Sequence, residues 1–105
     1  MVYFLAEIHS DETQSNGMYE SYIQQVKPIV ESYHGRYLVR SGRIEAFGGG
    51  SAPSRVILIE FDTRAQLDEC FASKEYKSIA YLREQSVNGR AYIVEQEGEE
   101  RMEII

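Results

Sequence analysis

One cysteine, two histidines, two prolines and no tryptophan among 105 residues exclude several classes of protein. A single thiol cannot close an internal disulfide or build a multi-thiolate metal centre, and such a chain suits a reducing compartment. The soft and imidazole ligands are His9, His34 and Cys70, with no paired spacing among them. Zinc and iron sites require about three or four converging ligands, so no metal and no cofactor is expected. Positive charge is also scarce. Eleven lysines and arginines face 17 acids, and the net charge of −6 argues against a nucleic-acid partner. No apolar run approaches the roughly 18 residues of a membrane span. Val2–Ala6 lacks a basic leader and is broken by Glu7, so it does not read as a secretory signal. The expectation is a cytoplasmic chain with neither a nucleic acid nor a membrane as partner.

What is present is enough for one domain. The length suits a single core, and 43% hydrophobic residues is near the globular norm. Tyrosine is unusually frequent, with 8 copies against 4 phenylalanines. The acidity is concentrated at one end: Glu95–Ile105 holds five glutamates and one arginine, which accounts for −4 of the −6. Residues 1–95 are therefore read as the folded domain and 96–105 as an acidic, solvated tail. The competing reading docks Met102, Ile104 and Ile105 as an extra strand.

Periodicity assigns the elements. Residues 2–9 alternate as a strand, with Val2, Phe4, Ala6 and Ile8 on one face and Tyr3, Leu5, Glu7 and His9 on the other. Ser10–Gly17 reads as a loop in which Ser15 or Asn16 caps the next element. From Met18 to about Tyr33 the apolar residues Tyr19, Tyr22, Ile23, Val26, Ile29, Val30 and Tyr33 follow helical spacing. Pro28 predicts a kink, and Gly35 a left-handed stop. Arg36–Arg40 is a second strand, extendable through Ala46, with Tyr37 and Val39 opposed to Arg36, Leu38 and Arg40. A flexible Gly48–Pro53 connection leads to Arg55–Phe61, too apolar for a solvated edge and so placed centrally. Thr63 and Gln66 have capping-box spacing, and Ser73 can cap a second helical segment. Asn88-Gly89 signals a turn before a last strand, Ala91–Glu95. The order βαββαβ gives the expected fold class: α+β, ferredoxin-like, a four-stranded antiparallel sheet with two helices on one face.

Several stretches then carry a resemblance: Tyr19-x-x-Tyr22, Tyr33-His34-Gly35-Arg36-Tyr37-Leu38, Arg55-Val56-Ile57-Leu58-Ile59-Glu60-Phe61, and Ser73-Lys74-Glu75-Tyr76 with Leu82-Arg83. In this order they resemble a small bacterial domain-of-unknown-function family of the dimeric α+β barrel superfamily, over residues 2–95. The resemblance implies a protomer that pairs sheet to sheet with a second copy, a dimeric α+β barrel, and it implies no reaction. The wider superfamily includes cofactor-independent monooxygenases, lactone isomerases and haem-handling enzymes. The lack of tryptophan and the scarcity of histidine disfavour the last. His34 stands where this family usually has a glycine, and Cys70-Phe71 where it has an aromatic pair.

Strand parity selects the candidate site. With Ile57, Ile59 and Phe61 under the helices, Val56, Leu58 and Glu60 face the other way, and the same rule adds Leu5, Glu7, Arg36, Leu38, Arg40, Tyr92 and Val94. A mostly apolar surface with a few ionisable groups suits a small ligand. Glu60 must there pair with an arginine or remain protonated. His34, at a helix end, offers an imidazole to a ligand or serves as a helix-terminal cation. Glu60, Arg40, His34 and Arg36 are therefore the candidate ligand-binding residues, with a structural Glu60–arginine pair as the plainer alternative. No catalytic residue can be assigned. The functional expectation is a homodimer that binds a small organic molecule, either as an enzyme acting without a metal or as a non-catalytic sensor or scaffold.

Overall fold

The computed structural model describes residues 1–10 and 17–97, and its elements follow the periodicities of the chain. They are β1 (Val2–Ser10), α1 (Met18–Ser32), β2 (Arg36–Ser41), β3 (Arg55–Phe61), α2 (Arg64–Ala72), α3 (Lys74–Glu84) and β4 (Val87–Glu95). The strands form one antiparallel sheet in the order β2-β3-β1-β4. This is the ferredoxin-like arrangement: each helical crossover joins strands that have another strand between them. β1 and β3 are central, as their apolar runs require.

The helices bury one face of the sheet. Val2, Ala6 and Ile8 of β1 and Ile59 and Phe61 of β3 meet Tyr22, Val26 and Val30 of α1 and Leu67, Cys70, Tyr76 and Ile79 of α2 and α3. Full burial of such an aliphatic or aromatic side chain is worth roughly 1.5–3 kcal/mol. The crossover after β3 is two helices rather than one. Thr63 caps α2 through the expected capping box, its Oγ1 accepting from the Gln66 amide at 3.1 Å while the Thr63 amide donates to Gln66 Oε1 at 3.3 Å. Ser73, in an extended conformation, ends α2 and caps α3 by accepting from the Tyr76 amide.

Four local expectations need correction. The N-cap of α1 is Gly17, left-handed at φ 77° and without a side-chain cap; Ser15 and Asn16 lie outside the described residues. At the other end of α1 the left-handed residue is His34, at φ 69°, and not Gly35. The Gly35 amide donates to the Val30 carbonyl and the His34 amide to that of Glu31, the reciprocal closure of a Schellman motif. Gly35 is needed for a different reason. A Cβ there would lie 2.5 Å from Val30 Cγ1 and 2.8 Å from Phe61 Cε1. Third, Asn88-Gly89 is not a turn: both residues lie inside β4, opposite His9 and Ile8, and a Cβ on Gly89 would approach the Glu7 carbonyl to 3.0 Å. The chain turns earlier, at Gln85 and Ser86, where the Ser86 hydroxyl donates to the Leu82 carbonyl.

The fourth correction bears on the site. Tyr37 pairs with Ile59, but Val39 pairs with Leu58, so one extra residue is inserted in β2 at Leu38. Such a bulge reverses strand parity beyond it. Val39 therefore joins the open face, and Arg40, opposite Ile57, turns to the helix side. The extension of β2 toward Ala46 is absent, since the strand ends at Ser41. α1 runs unbroken through Pro28. The Gln96 amide donates to the Met1 carbonyl, and the docking of Met102, Ile104 and Ile105 lies outside the described residues. Among the described residues no helix is long and apolar enough to cross a membrane.

Candidate functional site

The four residues singled out from the sequence do not converge. Glu60 and Arg36 face each other across β2 and β3 on the open side of the sheet, as the plainer alternative required. Arg36 Nη2 donates to Glu60 Oε1 at 3.0 Å and to Asp62 Oδ1 at 2.9 Å, and its Nε reaches the same Glu60 oxygen at 3.2 Å. These two carboxylates hold the guanidinium above its ordinary value. The Tyr3 phenol opposite Glu60 is also raised, by desolvation and then by that carboxylate. His34 is exposed at the end of α1. Arg40 leaves the group because of the bulge: its Nη2 donates to the Ile23 carbonyl of α1 at 2.9 Å, and its guanidinium lies over the Tyr37 ring, 5.1 Å from the centroid.

The concave site lies on the opposite side, between the sheet and the helices. It is a cavity of about 340 Å³. Its floor is Phe4, Ala6, Ile57 and Ile59 of the central strands, and Gly89 and Ala91 of β4 border it. Tyr19, Tyr22 and Val26 enter from α1, Tyr37 from β2, and Phe71, Tyr76 and Arg83 from α2 and α3. The aromatic wall is continuous: Phe4 stacks on Phe71 at 4.5 Å between centroids, and Phe71 meets Tyr76 edge to face at 4.9 Å. Such pairs favour offset or edge contacts and present flat apolar surface.

A short polar chain runs through that wall. The Tyr22 and Tyr76 hydroxyls lie 3.0 Å apart, and Arg83 Nε donates to the Tyr76 oxygen at 3.3 Å. Burial and the neighbouring Tyr76 hold the Tyr22 phenol far above its ordinary value, and burial lifts that of Tyr37 to about 12, so both are neutral donors at neutral pH. Tyr19 differs. It is 7% exposed, and its hydroxyl has no hydrogen-bond partner among the described residues. Cys70 is buried, and burial raises its thiol to about 11, which makes it a core residue rather than a nucleophile. Among the described residues no three His, Cys, Asp or Glu side chains gather as a metal site.

The cavity residues were visible in the sequence only as the core stripes of helices and the inward faces of strands. The one available signal was the tyrosine excess, because phenols at core positions need polar partners or an enclosed space.

Sheet order and helix placement together define a ferredoxin-like α+β protein, with a partly open aromatic cavity between its layers. Its fold is that of solved proteins of 11–16% identity, a level that shows the fold alone. An uncharacterised protein of Rhodopseudomonas palustris, RPA0582, superposes with a TM-score of 0.73 at 15% identity, over 92% of this chain and 82% of that one. An antibiotic biosynthesis monooxygenase superposes at 0.61 with 16% identity, over 93% and 100% of the two chains. SnoaB, a cofactor-independent oxygenase from Streptomyces nogalater, does so at 0.62 with 11% identity, over 92% and 93%. No curated protein matches the sequence. The chain belongs to the DUF1330 family, a domain of unknown function, which matches residues 1–97.

Proposed function

We propose that this protein is a homodimer that binds a small, flat, largely apolar organic molecule in the cavity between sheet and helices. The observation that carries the reading is the cavity itself, about 340 Å³ and walled mainly by aromatic and aliphatic residues with a few tyrosine hydroxyls and two arginines, Arg83 and Arg90. Sites for small organic molecules have this composition and size. A scaffold would have a filled interior, so the cavity favours the binding reading over the sensor or scaffold alternative. Likeness of fold to SnoaB and to an antibiotic biosynthesis monooxygenase supports the same direction, as analogy only.

The dimer half of the proposal rests on the open face. Leu38, Val39, Tyr92 and Val94 are 40–49% exposed there, beside half-buried Leu5, Val56 and Leu58. Monomers seldom leave contiguous apolar patches larger than roughly 300–600 Å² in water. A second copy related by a twofold axis offers the same patch in return. In that arrangement Glu60 and Arg36 hold the interface together, and the ligand lies one layer away. The reading is tested by native mass spectrometry of the purified chain. A species of twice 12.1 kDa that releases a small organic molecule on denaturation is expected. A 12.1 kDa monomer at micromolar concentration refutes the dimer. Failure of any planar aromatic probe to bind refutes the ligand site.

A further inference from the structure

The two buried side-chain atoms that lack a hydrogen-bond partner among the described residues are the Tyr19 hydroxyl and Arg55 Nε. Buried polar atoms are almost always paired, so each orphan calls for an explanation. These two belong to the same end of the sandwich. Arg55 lies opposite Ile8 and two residues before Ile57, on the face of β3 that Ile57 turns toward the helices. Tyr19 is in the first turn of α1 and lines the cavity. Arg40, opposite Ile57, bonds the α1 carbonyl of Ile23, one helical turn from Tyr19. Arg83 enters the cavity from α3.

Three arginines act at this end. Arg55, Arg40 and Arg83, in decreasing order, act on the Tyr19 hydroxyl, which burial nonetheless keeps protonated as a donor. Arg83 has a carboxylate neighbour, Glu84 at 3.6 Å, whereas Arg40 and Arg55 have none in an ion pair among the described residues. Partly buried cations without counterions are costly, and an anion brought by a ligand would offset that cost. A carboxylate is the organic anion that can supply one oxygen to a hydroxyl donor and carry the charge that neighbouring guanidiniums favour.

We propose that the cavity is an organic-acid site, in which a planar apolar body lies against Phe4, Phe71 and Ile57 and a carboxylate accepts from the Tyr19 hydroxyl, with the charge of Arg55 behind it. This assignment rests on the cavity reading above and adds to it the charge and orientation of the ligand. Arg40 supplies field without direct contact, and Arg83 adds its charge at the cavity wall. The Tyr22–Tyr76 pair, already satisfied, lines the path of the apolar body.

The test is calorimetric titration of the full chain at neutral pH with 2-naphthoate and with 2-naphthamide, two probes of the same shape that differ in charge. The wild type should bind the acid at least tenfold more tightly than the amide. Tyr19→Phe and Arg55→Gln should each bring that ratio toward one, because the charged acid loses more than the amide. Tyr19→Phe removes only an unpaired hydroxyl, so it should melt at or above the wild-type temperature, and it carries the test alone should Arg55→Gln not fold. Equal binding of acid and amide by the wild type overturns the organic-acid site and leaves the cavity reading standing. A ratio unmoved by Tyr19→Phe overturns the placement of the carboxylate. Binding of neither probe removes the cavity reading and this one with it.

Discussion

The two faces of the sheet are built from the same four strands and meet opposite fates. The helix-covered face buries Val2, Ile8, Ile59 and Phe61 almost completely, yet it is not filled. The open face carries side chains of similar character, Leu5, Val56, Leu58 and Val94, and no helix among the described residues covers it. The difference shows that apolar character alone does not mark a ligand site. On the covered face the bulky rings of Phe71, Tyr22 and Tyr76 stand against small residues, Ala6, Gly89 and Ala91, and the mismatch leaves a space. On the open face the side chains form a broad surface on which Arg36 pairs with Glu60 and Asp62. One face has the features of a pocket, and the other those of an interface.

The sharpest way to break this contrast is Leu58→Asp. A charge in the middle of the open face should abolish the proposed dimer outright, leaving monomeric or unfolded chain in sedimentation equilibrium; an intact dimer would show that the face is covered otherwise. Gly35→Ala acts on the covered face. The added methyl meets Val30 and Phe61 at 2.5–2.9 Å, and overpacking of this kind costs about 1–3 kcal/mol, read as a lower urea midpoint with unchanged oligomeric state. Ala6→Leu adds carbon to the cavity floor. It should abolish binding of a planar aromatic probe while the dimer persists, an outcome the open-face location of the site would not give.

A smaller effect follows from pH. Cys70 and Tyr37 lie on the covered side, and burial raises both above their ordinary values, to about 11 and about 12. The folded state thus favours their protonated forms. Their contribution is complete below pH 9 and is lost as pH rises through the folded values. Urea midpoints should be flat from pH 7 to 9 and fall above that, and Cys70→Ala should remove the earlier part of the fall. The smallest effect expected is that of Glu60→Gln. Arg36 retains Asp62, so stability should drop by about 1 kcal/mol or less, with probe affinity unchanged. A loss of binding would return Glu60 to the ligand site.

Most of the fold was legible because the buried faces of β1 and β3 obey strict alternation, and because Thr63, Gln66 and Ser73 cap their helices by simple spacing. The site was not. Parity holds only while strands pair residue for residue, and the bulge at Leu38 moved Arg40 to the other face with no mark in the local sequence. His34 took the left-handed position because the neighbouring glycine was needed to let Val30 and Phe61 close over the backbone. The tyrosines of α1 satisfied a helical core stripe equally well as packing or as pocket wall. Only the distances between elements decide between those roles, and a periodicity contains no such distances.

The central claim, that the ligand enters the covered face while the open face is the interface, can be read from side-chain methyls in one NMR experiment. Ala6, Ile57 and Ile59 report the cavity, and Val56, Leu58 and Val94 report the opposite face. Titration with 2-naphthamide should shift the first set and leave the second unmoved, and the second set should show contacts between protomers in a mixed-label dimer. Shifts at Val56 and Leu58, with Ala6 and Ile57 unchanged, would contradict the account.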